Sequence, residues 1–173
     1  YNYAQNIWYY GNISRTAWID SGIRDFPLAA TYNNNIVNHE DGIDDNETGT
    51  NAGISSFITS AQFDLDDGHR FAFIQKVYPD ITFDGSTAES PTATLSLFAA
   101  QNSGSGRNSP ASEGGTNTGS ITRTATAPIE AFTSRLDLRV RGRQLALKIE
   151  SSESGVKWQL GSPRLELRPD GRR

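Results

Sequence analysis

The chain has 173 residues, a formal net charge of −4 and 35% hydrophobic residues, enough for one good-sized domain or one domain with part of a second. It contains no Cys and only two His, which excludes disulfides, zinc ribbons and thiol nucleophiles and leaves little for His-based metal sites. No apolar run approaches the roughly 18 residues of a membrane span, and Ser, Thr, Asn and Gly supply 61 residues, a composition of short strands and turns rather than of a helical bundle.

In chain order, Ile7-Trp8-Tyr9-Tyr10 reads as a short aromatic strand ended by Gly11-Asn12. Thr16–Ile19 follows, stopped by Asp20-Ser21-Gly22. Leu28–Tyr32 and Asn35–Asn38 flank Asn33-Asn34, a tight turn able to take positive φ. Four short strands in succession predict a β-meander over residues 1–53, the pattern of a propeller blade or of one sandwich face. Residues 39–53 are polar and acidic and read as an exposed loop.

A longer strand is predicted over Ser56–Leu65, turned by Asp66-Asp67-Gly68. Arg70–Tyr78 comes next, with Phe71, Phe73 and Val77 on one face, and then Thr94–Phe98. Residues 101–128 hold many Gly, Ser and Thr and almost no large apolar side chains, so they read as a long polar loop. Arg135–Arg141 alternates strictly, with Leu136, Leu138 and Val140 on one face and Arg135, Asp137, Arg139 and Arg141 on the other. Gln144–Glu150 alternates in the same way, and Val156–Leu160 and Arg164–Arg168 complete the set. One dry face per strand demands a second layer, so residues 54–173 predict an antiparallel β-sandwich. The fold class is all-β: a β-sandwich preceded by a β-meander.

Charge is unevenly spread. Residues 1–90 carry a net −9 and residues 91–173 a net +5. The Arg-rich part suits three arrangements: a solvated sheet face with partners such as Glu150 and Glu166, a subunit interface, or contact with a DNA backbone. Arg135, Arg139, Arg141, Arg168, Arg172 and Arg173 are the candidates for an interface or a DNA-facing surface.

Catalytic signatures are weak. Asp64-Leu65-Asp66-Asp67-Gly68 has carboxylates before a Gly, but it lacks the spacing and closing Glu of a calcium loop. His39-Glu40-Asp41 lacks the second His of a metalloprotease helix, and there is no G-x-S-x-G elbow. Carboxylate-rich loops alone leave a hydrolase as a remote reading. No motif asks for a cofactor or a metal. Ser152–Trp158 is similar to the Asp-box turn of sialidase propellers, with Ser154 where the Asp would stand. The cluster Trp8, Tyr9, Tyr10 and Trp18 fits either core packing or a carbohydrate-binding face.

Two ordered blocks carry a family resemblance. The first runs Trp8-x-x-Gly11-x-x-x-Arg15-Thr16-Ala17-Trp18-x-Asp20-x-Gly22, Pro27, His39-Glu40-x-Gly42, Ser60-x-x-Phe63-Asp64-x-x-Asp67-Gly68 and Pro79-Asp80. The second runs Arg141-Gly142-Arg143-Gln144, Gly155-x-x-Trp158-x-Leu160-Gly161, Arg164 and Pro169-Asp170-Gly171-Arg172-Arg173. Together they resemble the C-terminal region of tail nozzle proteins of short-tailed bacteriophages, the tail tubular protein B type. The resemblance implies a virion structural protein in a ring, usually six-fold, at the distal end of the tail. Its expected partners are further copies of itself, adaptor and fibre proteins, DNA in transit through the lumen, and a host surface receptor. It also implies that residues 1–53 are the last strands of a β-propeller belonging to a longer chain, in line with a start inside a strand and no Met. The 101–128 stretch departs from the pattern.

Overall fold

The computed structural model describes residues 1–4, 6–65, 68–100 and 121–171. Among these there is no helix, and all strand pairing is antiparallel. The chain divides into two units. Tyr1–Gly42 with Asn46–Thr50 form the first, and Ile43–Asp45 with the residues from Asn51 onward form the second.

The first unit is a three-stranded meander of β1 (Ala17–Ile19), β2 (Leu28–Ala30) and β3 (Ile36–Asn38). The β2–β3 turn is built by Thr31, whose hydroxyl accepts the amides of Asn33 and Asn35, and Asn34 takes φ +62° as its turn position requires. The aromatic strand expected at Ile7–Tyr10 does not form. Ile7 makes a single bridge to Asn2, and Trp8 stacks on Tyr1 with ring centroids 4.8 Å apart. Trp8, Tyr9 and Tyr10 stay exposed, Trp8 to 77%. Among the described residues of this unit only Ala29 and Thr31 are buried, so its three strands of three residues offer little depth to receive a large ring.

The second unit is the sandwich. A small hairpin of β4 (Asp44–Asp45) and β5 (Ala52–Gly53) opens it, inside a stretch expected to be loop. Next come β6 (Ser56–Thr59), β7 (Phe63–Asp64), β8 (Ala72–Tyr78), β9 (Ile81–Thr82) and β10 (Thr92–Ala100). They are followed by β11 (Ile121–Glu130), β12 (Leu136–Gly142), β13 (Gln144–Ser151), β14 (Gln159–Leu160) and β15 (Arg164–Pro169). One sheet has the order β11-β10-β13-β6, with β7 also on β13; the other has the order β12-β8-β15.

Their inner faces form one core. Leu95, Leu97, Leu145 and Ile149 meet Ile74, Val77, Leu138 and Val140, closed by Leu65, Phe83 and Ile129. The inner face of β12 is the one its alternation indicates. That of β8 is not: Ala72, Ile74 and Val77 point inward, while Phe73 is only half-buried. The register steps over Gln75 on both flanking strands. This bulge lets Ile74 and Val77, three residues apart, share one face.

Three further boundaries differ from expectation. The single strand expected over Ser56–Leu65 is split. Ser60 bonds the backbone of Leu147 twice, through its amide to the carbonyl and through its hydroxyl from the amide, and the register on β13 shifts by one residue between β6 and β7. The polar loop expected over 101–128 ends by Ile121, because 121–130 pair along β10. Its inward residues Ala125 and Ala127 are small, so the sequence shows no apolar stripe there. Residues 101–120 lie outside the described residues. The strand expected over Val156–Leu160 is reduced to β14: the chain turns at Ser154 and Gly155 (φ +75°), and Val156, Lys157 and Trp158 lie outside any strand.

Leu95 is fully buried between β11 and β13. Leu95→Ala is expected to lower unfolding free energy by about 2–5 kcal/mol in urea titration, whereas Ile23→Ala, at a fully exposed position, should leave it nearly unchanged.

Candidate functional site

The motif residues fall into two groups, one in each unit. In the first unit, Thr16 enters β1 by donating its amide to Ala30 O at 2.9 Å, which aims the preceding Arg15 at the β3 end. The Arg15 Nε–H donates to His39 Nε2 at 2.9 Å, and its NH1 donates to Glu47 Oε2 at 3.0 Å. The Arg15 and Glu47 side chains are only 13% and 14% exposed, so the ion pair is largely desolvated. Asn33 Nδ2 donates to the other Glu47 oxygen at 2.8 Å. The Trp18 and His39 rings lie 4.5 Å apart at 47°. Sequence reasoning singled out Arg15, Trp18 and His39 and missed Glu47, an acid in a loop with several others. Glu40 (φ +61°) and Gly42 (φ +88°) shape the turn that follows. Asp20 is exposed, and Gly11 has no atom near the place a Cβ would take.

In the second unit the motifs converge on backbone. The amide of Asp170 donates to Phe71 O and the amide of Phe71 to Gly171 O, which continues the β8–β15 pairing past Pro169. Arg141 spans this joint: its Nε donates to the Asp170 carboxylate and its NH2 to Asp170 O at 3.1 Å. Its guanidinium lies 3.9 Å and that of Arg143 4.7 Å from the centroid of the Phe71 ring. Gly142 between them faces inward against Ala99 and Ala100 of β10, where a Cβ would sit 2.9 Å from Ala99 Cβ. Gly68 follows Asp66 and Asp67, which lie outside the described residues; the Asp64 carboxylate beside it takes the Gln144 side-chain amide at 2.8 Å.

Two carboxylates hold the turns around β14. Asp80 (φ +49°) accepts the Gly161 amide on its carbonyl and the Ser162 amide on its carboxylate, at 2.8 and 2.6 Å. A Cβ on Gly161 would lie 2.5 Å from that carboxylate. Asp44 of β4 accepts the Ser154 hydroxyl and the Gly155 amide at 2.8 and 2.7 Å. The carboxylate absent from the Asp-box position thus arrives from another strand. Trp158 is half-buried against the core, and its indole N–H donates to Ser56 Oγ at 2.9 Å.

The described Arg candidates, Arg135, Arg139, Arg141 and Arg168, lie along the β12-β8-β15 sheet. Arg135 pairs with Asp137 at 3.1 Å and Lys76 with Glu166 at 2.9 Å. Glu150 pairs with Lys148 of its own strand rather than with this face. Arg164 lies 5.9 Å from the Tyr78 ring centroid. Arg139, Arg164 and Arg168 make no ion pair among the described residues. The bulge turns both Gln75 and Lys76 outward, and a depression of about 470 Å³ opens among Phe73, Gln75, Lys76, Asp137 and Arg139. Arg139 and Arg168 stand on the two strands flanking β8. The Lys76 hydrogen bond holds the Glu166 carboxyl below its usual range; desolvation opposes it, and the charges of Lys76, Arg168 and Arg135 each add a smaller lowering effect. Arg172 and Arg173 lie outside the described residues. Among the described residues, no three His, Asp or Glu side chains are gathered to hold a metal ion.

Neither a protein-family model nor a curated protein sequence matches this chain.

Gly161→Ala is expected to destabilise by about 1–3 kcal/mol through overpacking, with partial recovery in Gly161→Ala/Asp80→Gly, read by thermal melting. The lowered Glu166 pKa makes its ion pair stabilising above the ordinary carboxylate range and lost as pH falls through the lowered value. Glu166→Gln should therefore lower the melting temperature at pH 7 and leave it unchanged at pH 2.5.

Proposed function

We propose that this chain is a structural part of a bacteriophage virion, a segment of the distal ring, or nozzle, of a short tail that forms the channel for genome ejection. The observation that carries the reading is where the resemblance motifs go. Residues separated by 24 to 81 positions meet as fold-holding contacts: Arg15 with His39, Arg141 with Asp170, and Asp80 with Gly161. The motif blocks act as joints of a scaffold, and the proposed role is structural rather than enzymatic. The first unit is read as the last strands of a propeller, which its uncovered apolar side chains Trp18, Ile19, Tyr32 and Ile36 favour.

The expected assembly is a homo-oligomer, a six-fold ring by the resemblance, in contact with adaptor and fibre proteins in the tail. Arg139, Arg164 and Arg168, which form no ion pair among the described residues, supply guanidinium groups for such a contact. Asp137, Glu166 and Asp170 lie among them, an interruption that suits discrete carboxylates of a protein neighbour better than a continuous phosphate backbone. DNA is then a passing occupant of the channel rather than a ligand of this face.

A second reading, a carbohydrate- or receptor-binding module of a phage tail, is favoured by the exposure of Trp8, Tyr9 and Tyr10. Glycan-array binding that is lost in Trp8→Ala, with the melting curve unchanged, would select it.

Sedimentation of the full-length protein is expected to give a ring-sized oligomer that weakens at high salt. In Arg139→Glu/Arg168→Glu the association constant should fall at least tenfold. A protein that stays monomeric at every salt concentration and is absent from purified virions overturns the proposal.

A further inference from the structure

We infer that the outer edge of β15 is an interface for a second copy of this chain, the two β15 strands pairing antiparallel about a two-fold axis at Leu167. β15 ends its sheet, and among the described residues no strand pairs with its other side. On one side of the sandwich β12 meets β11. β15 therefore lies on the other side, that of β6, where the Trp158 indole reaches Ser56. The β12-β8-β15 sheet is three strands wide and packs on a sheet four strands wide, in which β6 and β7 both lie beside β13. The margin of the wider sheet is left uncovered. Leu167 lies opposite Ile74 and so belongs to the inner face, as do Ile58 and Phe63 opposite Ile149 and Leu145. Yet Leu167, Ile58 and Phe63 are 41%, 46% and 40% exposed. An edge of this kind is a template for a further strand.

The backbone of β15 decides which groups it offers. Pro169 has no N–H, and a proline within a sheet turns its nitrogen away from the ladder. The next amide, that of Asp170, is turned to β8, where it donates to Phe71 O. Alternation then directs the N–H and C=O groups of Leu165 and Leu167, with the carbonyl of Pro169, to the outer edge. With the axis at Leu167, each Leu167 amide donates to the carbonyl of the partner's Leu167. Each Leu165 amide donates to the carbonyl of the partner's Pro169. The missing proline N–H then forfeits only a bond to the Leu165 carbonyl.

The same register matches the side chains. On the outer face Arg164 comes opposite the partner's Asp170, and Glu166 opposite the partner's Arg168. On the inner face Leu167 meets the partner's Leu167, and Leu165 meets the partner's Pro169. Each charge of β15 thus faces its opposite, the arrangement that stabilises cross-strand pairs. Neighbouring registers fail. An axis at Glu166 sets Arg164 against the partner's Arg168 and Glu166 against the partner's Glu166. An axis at Leu165 leaves Arg168 opposite the partner's Ser162 and sets Leu167 opposite the partner's Pro163, which has no N–H. Among the described residues Lys76 bonds Oε2 of Glu166 and Arg141 bonds Oδ2 of Asp170, so Oε1 and Oδ1 remain for the incoming guanidinium groups. The contact is isologous and joins the two three-stranded sheets into one. It stands without the ring reading.

The test combines sedimentation equilibrium of the 173-residue chain with hydrogen exchange over a concentration series. A two-subunit species is expected. As it forms, the Leu165 and Leu167 amides should gain at least tenfold protection, while the Glu166 and Arg168 amides, already turned to β8, keep theirs. Glu166→Arg and Arg168→Glu each set like charges opposite one another across the axis, and each alone should weaken association at least tenfold. Their equimolar mixture should pair as tightly as the unaltered protein, because every contact between positions 166 and 168 then joins opposite charges. Arg139→Glu, on β12 at the far end of the sheet, should leave the pair intact, which separates it from the ring contact. A chain that stays monomeric, a mixture that does not pair, or association without protection of Leu167 overturns the inference. Should a variant fail to fold, the Leu167 amide of the unaltered protein decides alone.

Discussion

The burial of one face of each sheet against the other is the constraint on which the described structure depends. β10 and β13 lie at the centre of one sheet and β8 at the centre of the other, and their inward Leu, Ile and Val side chains are almost fully withdrawn from water. Removing that apolar area from water is the main favourable term in folding such a chain. The remaining features are adjustments that let irregular strands satisfy it. The bulge at Gln75 is the clearest, since a strictly alternating β8 would carry Val77 to the wrong face once Ile74 was inside.

A second theme is the use of carboxylates to hold backbone. Asp80 and Asp44 each accept a turn amide, and Asp170 accepts from Arg141 while its own amide extends a sheet. A carboxylate accepting from backbone N–H groups makes a strong charge-assisted bond. It also fixes a turn whose glycine leaves room for the approach, as at Gly161. Arg141 adds a stacked cation over Phe71, so one residue closes the end of a sheet by charge and by packing. Acids of this kind look like potential ligands or catalysts when read singly, and they turn out to be fasteners.

The two units obey different rules. The sandwich has layers, a contiguous core and short polar joints. The meander has short strands, two buried residues among those described and many exposed aromatic and aliphatic side chains. What order it has comes from a polar cluster: a desolvated Arg15–Glu47 pair, the imidazole of His39 and the amides of Asn33 and Asn35. Polar networks of this type are specific in geometry and sensitive to the state of each member.

The sequence by itself determined that the chain is all-β and antiparallel, and it determined the inner faces of β12 and β13, because a period of two is written directly in Leu136, Leu138, Val140 and Leu145, Leu147, Ile149. It also picked out Arg15, His39, Arg141, Asp170 and Gly161 as residues that belong together, without showing how. Only the tertiary structure decided the partners. Glu47 and Asp44 come from an acidic stretch whose composition is that of ordinary solvated surface, and nothing local marks them. The same holds for β11, whose Ala125 and Ala127 leave no stripe, and for the inner face of β8, which depends on a bulge that only pairing on both sides creates. Periodicity reports what one strand does alone. Register and charge pairing are properties of two or three strands at once, so they appear only when the strands are brought together.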